Sequence, residues 1–175
     1  MSIVEFDADS VDPRYTKRGA LHVPAGEGLS VWSTGDIYTV KLLGSVTSGR
    51  LSFIEASVPS GSGSAVLPHV HEHRDESFYL TSGELEFLDG DHKFIARQGD
   101  FVHVPMGIRH SFKNVGVQTA KMVFMFSPAI PDEAFTKYSS PAIPGEPPMP
   151  LDPGQVEQLA QKAREWGDIP LPDLP

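Results

Sequence analysis

Two histidines and a glutamate near the middle of the chain have the clearest chemical potential in this sequence. His69 and His71 are separated by one residue, and Glu76 opens the apolar segment that follows. On an extended strand, residues i and i+2 project to the same side, so both imidazoles can face one point. Two imidazoles and a carboxylate suit a divalent transition metal (Fe, Mn, Ni, Co, Cu or Zn), whereas Ca and Mg prefer oxygen ligands.

A fourth ligand is predicted some 35 residues further along the chain. Pro105 and Gly107 predict a turn that ends one strand and begins another, and His110 lies at the head of the second strand. On that strand His110, Phe112 and Asn114 share one face. His110 can therefore approach the same metal from a separate strand.

The elements that must position these residues are short strands. Nine segments are rich in Val, Ile, Phe and Tyr and are separated by Gly, Asp, Pro or Ser, at a spacing of roughly 8–12 residues that is typical of a sandwich or barrel. Asp89-Gly90 predicts a tight hairpin turn between two of them. The nine predicted strands cover residues 29–33, 37–43, 51–58, 76–81, 84–88, 93–96, 101–104, 111–114 and 120–126.

The chain of 175 residues has the length of one domain. Within residues 1–175 we distinguish an N-terminal arm (1–28), a barrel (29–127) and a Pro-rich extension (128–175). Residues 128–150 are predicted to run extended over the surface. One short helix is predicted at about 153–166, with Asp152 as its cap, Pro153 at its first position and Gly167 after its end.

Composition excludes several classes of function. The net charge is −9, which disfavours nucleic acid and anionic membrane surfaces as partners. The sequence contains no Cys, so disulfides, thiolate metal sites and Cys nucleophiles are excluded. It has no apolar run of the roughly 18 residues that span a bilayer, and its acidic start does not resemble a signal peptide. We therefore expect a soluble cytoplasmic protein.

Two multi-residue patterns identify a resemblance to the cupin family. Gly63-x5-His69-x-His71-x4-Glu76-x6-Gly83 resembles the first cupin motif, and Gly99-x5-Pro105-x-Gly107-x2-His110-x3-Asn114 resembles the second. The resemblance implies an all-β fold, a cupin-type jelly-roll β-barrel. It also implies one divalent metal per chain, held by His69, His71, Glu76 and His110, with coordination positions left open for water, substrate or dioxygen.

The layout of the whole chain resembles single-domain bacterial quercetin dioxygenases. It shares with them an N-terminal arm, Ser127-Pro128-Ala129 after an apolar strand, a segment around Phe135 and a final Trp-Gly-Asp-Ile-Pro stretch. The resemblance implies a metal-dependent dioxygenase that cleaves a flavonol-like or other phenolic or enolisable molecule, with a homodimer as the expected assembly. Glu76 is then the catalytic group, accepting the proton of the substrate oxygen.

Alternatives stay open from the sequence. The same site could serve a non-oxidative reaction (an isomerase, cyclase or decarboxylase of natural-product metabolism), or a cupin that binds a small molecule without turnover. Glu76 could be a plain metal ligand, and the barrel could be free of metal. The predicted substrate pocket consists of Phe53, Phe78, Met106, Phe112 and Phe124.

Three further polar residues receive structural interpretations. Asn114 is predicted to brace the turn after His110, and Arg109 is interpreted as a surface charge. His103 is predicted to pack within its strand, with a hydrogen bond to a metal ligand as the alternative.

Overall fold

The computed structural model describes residues 19–63, 67–148 and 153–171. Residues 1–18 of the predicted arm and the predicted cap Asp152 lie outside the described residues. The elements, in chain order, are β1 (Leu29–Ser33), β2 (Asp36–Leu42), a 3₁₀ turn (Gly44–Thr47), β3 (Ser52–Val58), β4 (His69–His71), β5 (Asp75–Ser82), β6 (Glu84–Asp89), β7 (His92–Arg97), β8 (Phe101–Val104), β9 (His110–Lys113), β10 (Ala120–Ser127), α1 (Glu133–Thr136), β11 (Ser140–Pro141), α2 (Pro153–Glu165) and β12 (Asp168–Pro170).

The strands of the described residues form two antiparallel sheets. The larger sheet has the order β11-β1-β2-β3-β10-β5-β8, and the smaller has the order β12-β4-β9-β6-β7. Neighbours in the sheets are often far apart in sequence, as in a jelly roll, where strands cross from one sheet to the other. The predicted all-β jelly-roll architecture is confirmed.

Alternation along the strands separates the barrel interior from its exterior. On β10 the side chains of Met122, Phe124 and Phe126 are buried, while Val123 and Met125 between them are half-buried. Successive residues of a strand point to opposite faces, so one face of β10 belongs to the core. Phe78 packs against Phe87 with ring centroids 5.1 Å apart, which joins the two sheets.

The Pro-rich extension departs from the prediction that residues 128–150 run extended over the surface. Asp132 accepts backbone hydrogen bonds from Gly44 (2.7 Å) and Ser45 (3.2 Å), which fixes the start of this segment against the 3₁₀ turn. The short helix α1 that follows buries Ala134 and Phe135. A segment that buries an aromatic ring in this way contributes to the core rather than lying over it.

The extension also supplies strands that the sequence did not predict. β12 pairs with β4, and β11 pairs with β1, so two separate parts of the extension add strands to the sheets. The predicted helix is present as α2, with 13 residues. Within the described ranges, no helix is long and apolar enough to cross a membrane.

Two turn glycines allow a matched test of the packing. Gly83 and Gly90 both have positive φ, +78° and +63°, so alanine at either position carries a similar backbone penalty of about 1–2 kcal/mol. A Cβ on Gly83 would lie 2.9 Å from the Cα of Ala120, whereas a Cβ on Gly90 would meet no atom within 4 Å.

We expect Gly83→Ala to lower the free energy of unfolding by about 1–3 kcal/mol more than Gly90→Ala, because only the first adds a backbone clash. Chemical denaturation of the two variants measures this difference. Equal losses of unfolding free energy in the two variants would show that β10 shifts at Ala120 without a measurable cost, which would contradict this packing argument.

Candidate metal centre

The structure brings the four predicted metal ligands together. His69 and His110 face each other across the β4–β9 pair, and His71 lies two residues along β4. Glu76 approaches from β5 in the opposite sheet. The ligand atoms of the four side chains all lie within 4.8 Å of one another, and His71, Glu76 and His110 are buried.

Each of the three imidazoles is oriented through its Nδ1 atom. The Nδ1 of His69 lies 3.0 Å from the carbonyl oxygen of Leu67, and the Nδ1 of His110 lies 2.9 Å from that of Ile108. The Nδ1 of His71 lies 2.6 Å from a carboxylate oxygen of Asp168. A proton on each Nδ1 leaves each Nε2 as the atom that can bind a cation, so this donor set fits a transition metal.

Glu76 lies between two of the imidazoles. Its Oε2 is 3.1 Å from the Nε2 of His71 and 2.9 Å from that of His110. Burial alone would raise the pKa of Glu76, but the hydrogen bonds from His110 and His71 outweigh it and lower that pKa to about 2. Glu76 is therefore ionised at neutral pH, which is the form that binds a cation.

The pKa values of two histidines move in opposite directions. Burial and the nearby imidazoles of His110 and His71 lower the pKa of His69 to about 4. Burial also acts to lower the pKa of His71, but hydrogen bonds with Asp168 and Glu76 outweigh it and raise that pKa to about 9. A cation at this centre must therefore displace a proton from His71.

Asp168 is a functional residue that the sequence reasoning missed. It lies directly opposite His71 in the β12–β4 pair, and it forms an ion pair with the buried side chain of Arg74. Arg74 also donates a hydrogen bond of 2.8 Å to the carbonyl oxygen of Trp166. Asp168 follows His71 by 97 residues, so no spacing pattern linked it to the ligands. The position of Asp168 beside His71 becomes evident only from the pairing of β12 with β4.

A cavity of about 550 Å³ opens above the ligands. Its walls are mostly apolar: they include Phe112, Phe124 and Phe126 from the barrel, and Phe135 and Trp166 from the C-terminal extension. Among the described residues, no Lys or Arg lines it. The other lining residues are Ser33, Thr34, Gly35, Tyr38, Gly61, Ser62, Gly63, Leu67, His69, His71, Glu76, Ile130, Ala134, Leu159, Ala160, Ala163, Asp168 and Pro170.

The five residues predicted to form the substrate pocket divide into two groups. Phe112 and Phe124 line the cavity. Phe78 is fully buried behind them and does not line it. Phe53 lies on the opposite face of β3 from buried Ile54, and its side chain lines a separate hollow outside the barrel. Met106 belongs to the turn after β8 and is 52% exposed, so it also lies outside the cavity.

Three polar residues outside the ligand set have structural positions. Asn114 is buried and its amide donates to two backbone carbonyls, in agreement with the predicted bracing role. Arg109 donates to the carbonyl oxygen of Leu171, so it attaches the C-terminal segment rather than serving as a simple surface charge. His103 is exposed, with its Nδ1 2.9 Å from the Ser77 hydroxyl oxygen, which corrects the prediction that it packs within its strand.

A second buried polar group lies beside the cavity. Asp36 is fully buried and accepts hydrogen bonds from the Ser62 hydroxyl (2.6 Å) and the Tyr38 hydroxyl (3.4 Å). Burial raises the pKa of Asp36 from 3.8 to about 7, although both hydrogen bonds act to lower it. The sequence analysis did not single out this aspartate, because it opens an ordinary strand.

Comparisons with known proteins agree with this geometry. Residues 55–126 match the family described as "Cupin domain". The fold is similar to that in the crystal structure of a predicted oxalate decarboxylase from Thermotoga maritima, with a TM-score of 0.57 at 21% identity over 62% of this chain and 99% of that one. Residues 55–126 are therefore a cupin domain, and the similarity in fold extends over most of the barrel.

Two relatives are similar in sequence. The chain is 37% identical over 98 residues to "Polyketide synthase CurC" from Streptomyces cyaneus, which covers 55% of this chain and 62% of that protein. It is 26% identical over 117 residues to "Quercetin 2,3-dioxygenase" from Bacillus subtilis (strain 168), which covers 67% of this chain and 34% of that protein. The alignments thus span less than two thirds of either relative.

Asp168 should govern metal affinity through His71. We expect Asp168→Asn to weaken Zn²⁺ or Co²⁺ binding by about 10- to 100-fold, because the amide no longer holds the His71 imidazole as a carboxylate does. Glu165→Gln is the matched control, since it removes an exposed carboxylate three residues earlier.

Isothermal titration of the metal-free proteins gives the affinities, and the Co²⁺ absorption spectrum reports the ligand geometry. Thermal unfolding of the metal-free variants separates a folding defect from a local one. If Asp168→Asn bound metal as tightly as Glu165→Gln, with an unchanged Co²⁺ spectrum, Asp168 would have no role in orienting His71.

Asp36 should make stability depend on pH. Its folded-state pKa lies above the unfolded value, so folding favours the protonated form. The associated stability is complete below about pH 4 and is lost, by at most roughly 1.4 kcal/mol per pH unit, as the pH rises to about 7.

We therefore expect Asp36→Asn to gain stability relative to the wild type between pH 4 and pH 8, because the neutral amide has no ionisation penalty. Denaturant unfolding at several pH values measures the difference. Asp91→Asn, which changes an exposed carboxylate in the β6–β7 turn, is the control. A stability difference that does not vary with pH would contradict the raised pKa.

Proposed function

We propose that the chain is a metal-dependent cupin enzyme that acts on a small phenolic or enolisable molecule. The observation that supports this most strongly is the position of the ligand set. The Nε2 atoms of His69, His71 and His110 converge with the Glu76 carboxylate at the wall of an apolar cavity. Three imidazoles and one carboxylate leave coordination positions on the cavity side for a substrate oxygen.

The walls of the cavity favour a neutral aromatic substrate. Substrates with phosphate or several carboxylate groups require cationic partners, and no Lys or Arg lies among the described lining residues. Phenylalanine side chains provide flat apolar surfaces on which an aromatic ring packs. The volume of about 550 Å³ lies within the range of small-molecule sites.

The residues of the chain have defined tasks in such a reaction. Glu76 is a buried carboxylate within the ligand set, so its position makes it the candidate to accept the proton when a phenol or enol of the substrate becomes an anion. The apolar walls exclude water from that anion. A divalent cation bound by the four ligands would act as a Lewis acid that favours the deprotonated oxygen.

The finer proposal is a quercetinase-like dioxygenase, with dioxygen as the second substrate and a flavonol-like ring as the first. It is supported by the likeness to quercetin 2,3-dioxygenase and by the aromatic walls. Two alternatives use the same site. The likeness to a polyketide synthase supports a non-oxidative isomerase, cyclase or decarboxylase acting on an aromatic polyketide, and a binding protein without turnover is the other. A homodimer and a cytoplasmic location also belong to this proposal.

Oxygen uptake tests the proposal. Protein loaded separately with Fe²⁺, Mn²⁺, Ni²⁺ or Co²⁺ is mixed with quercetin in an oxygen electrode, and product is followed with and without air. We expect oxygen uptake that matches quercetin loss and stops after chelation. Loss of quercetin without oxygen uptake would support a non-oxidative reaction. Binding without loss would support the non-catalytic alternative and contradict the enzyme.

Two histidine variants provide the matched control. His110→Ala removes one of four ligands, so we expect metal content and turnover to fall together by at least tenfold. His92→Ala removes an exposed histidine on β7 and should change neither. Full metal content and full activity in His110→Ala would exclude the proposed site.

A further inference from the structure

The cavity has a second polar region, away from the metal ligands. Apart from the four metal ligands and Asp168, Tyr38 is the one ionisable residue among the described lining residues. Its hydroxyl donates to Asp36, and the hydroxyl of Thr34 also hydrogen-bonds to it. Ser62, which donates to the other oxygen of Asp36, lines the cavity as well.

The backbone at this region adopts a conformation that its sequence disfavours. Thr34 lies in the turn between β1 and β2 with φ of +51°, in the left-handed region. Threonine is β-branched, so this conformation is costly and is retained where the surrounding structure requires it. Strained residues of this kind concentrate at ligand-binding positions. The turn places Thr34 beside Tyr38, at the edge of the cavity.

A continuous row of rings connects this region to the metal centre. The Tyr38 ring lies 5.1 Å from that of Phe124, Phe124 lies 5.6 Å from Phe126, and Phe126 lies 5.3 Å from the ring of His71. All four side chains line the cavity. Successive rings meet edge to face, at interplanar angles of 69°, 89° and 86°, so they form a continuous apolar wall that extends from His71 to Tyr38.

We infer that Tyr38, held by Asp36, is a second binding position that forms a hydrogen bond to an oxygen substituent of the substrate remote from the metal-bound oxygen. This inference rests on the proposed function and narrows its substrate class. The substrate is a polyphenol or aromatic polyketide with oxygen atoms at two separate positions, one for the metal centre and one for Tyr38. Asp36 acts as a positioning residue, since it touches Tyr38 and Ser62 rather than the cavity.

The hydrogen-bonding capacity of Tyr38 is consistent with this role. Its one proton is donated to Asp36 and one lone pair of its oxygen accepts from Thr34, so the second lone pair is the position at which a substrate hydroxyl can donate. A substrate hydroxyl placed to donate to this oxygen gains a hydrogen bond that an analogue without the hydroxyl cannot form. Tyr38 thus adds specificity that the apolar walls cannot supply.

Two flavonols separate this position from the metal centre. Quercetin and 3-hydroxyflavone share the same chelating 3-hydroxy-4-keto group, but 3-hydroxyflavone has no other hydroxyl. Binding to protein loaded with Zn²⁺, which has no redox chemistry, is measured by isothermal titration. We expect the wild type to bind quercetin more tightly than 3-hydroxyflavone.

Tyr38→Phe removes one hydroxyl and keeps the ring. We expect it to weaken quercetin binding by about five- to tenfold, the effect of one hydrogen bond, and to leave 3-hydroxyflavone binding unchanged. Tyr79→Phe is the matched control, because Tyr79 is 44% exposed and does not line the cavity. It should change neither affinity.

The outcomes distinguish this inference from the function on which it rests. If Tyr38→Phe changes neither affinity, or lowers both equally, Tyr38 provides no hydrogen bond to the remote oxygen and the inference fails, while the metal site stands. If the Zn²⁺-loaded wild type binds neither flavonol, the quercetinase-like form of the proposed function and this inference are both overturned.

Discussion

The site depends on one constraint, the fixed orientation of three imidazoles. Each ring has its Nδ1 beside an oxygen acceptor: two backbone carbonyls two residues earlier in the chain, and the Asp168 carboxylate from another strand. With the Nδ1 atoms engaged, the Nε2 atoms of His69, His71 and His110 converge on Glu76. The jelly roll is the frame for this arrangement, because it faces β4 and β9 of one sheet towards β5 of the other.

The C-terminal extension contributes to both halves of the site. Residues Ala134 and Phe135 of α1, and Leu159 and Ala163 of α2, cover the cavity, and β12 then brings Asp168 to His71. The same segment therefore closes the apolar chamber and orients one ligand. Removing the C-terminal extension would expose the cavity to water. It would also remove the Asp168 carboxylate that holds the His71 imidazole, so cavity closure and metal binding are physically coupled.

The sequence predicted those features of the site that depend on the spacing of residues close together in the chain. The i, i+2 pair of His69 and His71 and the turn before His110 are local features, and all three residues lie where they were expected. Asp168 and the cavity wall formed by α1 and α2 depend on contacts between residues far apart in the chain, which periodicity does not report. Phe53 was misplaced for a related reason, because alternation shows that it faces away from Ile54 but not which face is the interior. Tyr38 was missed because a single tyrosine in a strand has no distinguishing pattern.

X-ray absorption spectroscopy of the chain loaded with one equivalent of Zn²⁺ tests the central claim most directly. The account predicts one tightly bound ion per chain, with a first shell of nitrogen and oxygen at about 2.0–2.2 Å and the multiple-scattering pattern of three imidazoles. A first shell of oxygen alone, or a pattern that fits at most one imidazole, would show that these histidines do not converge on a metal.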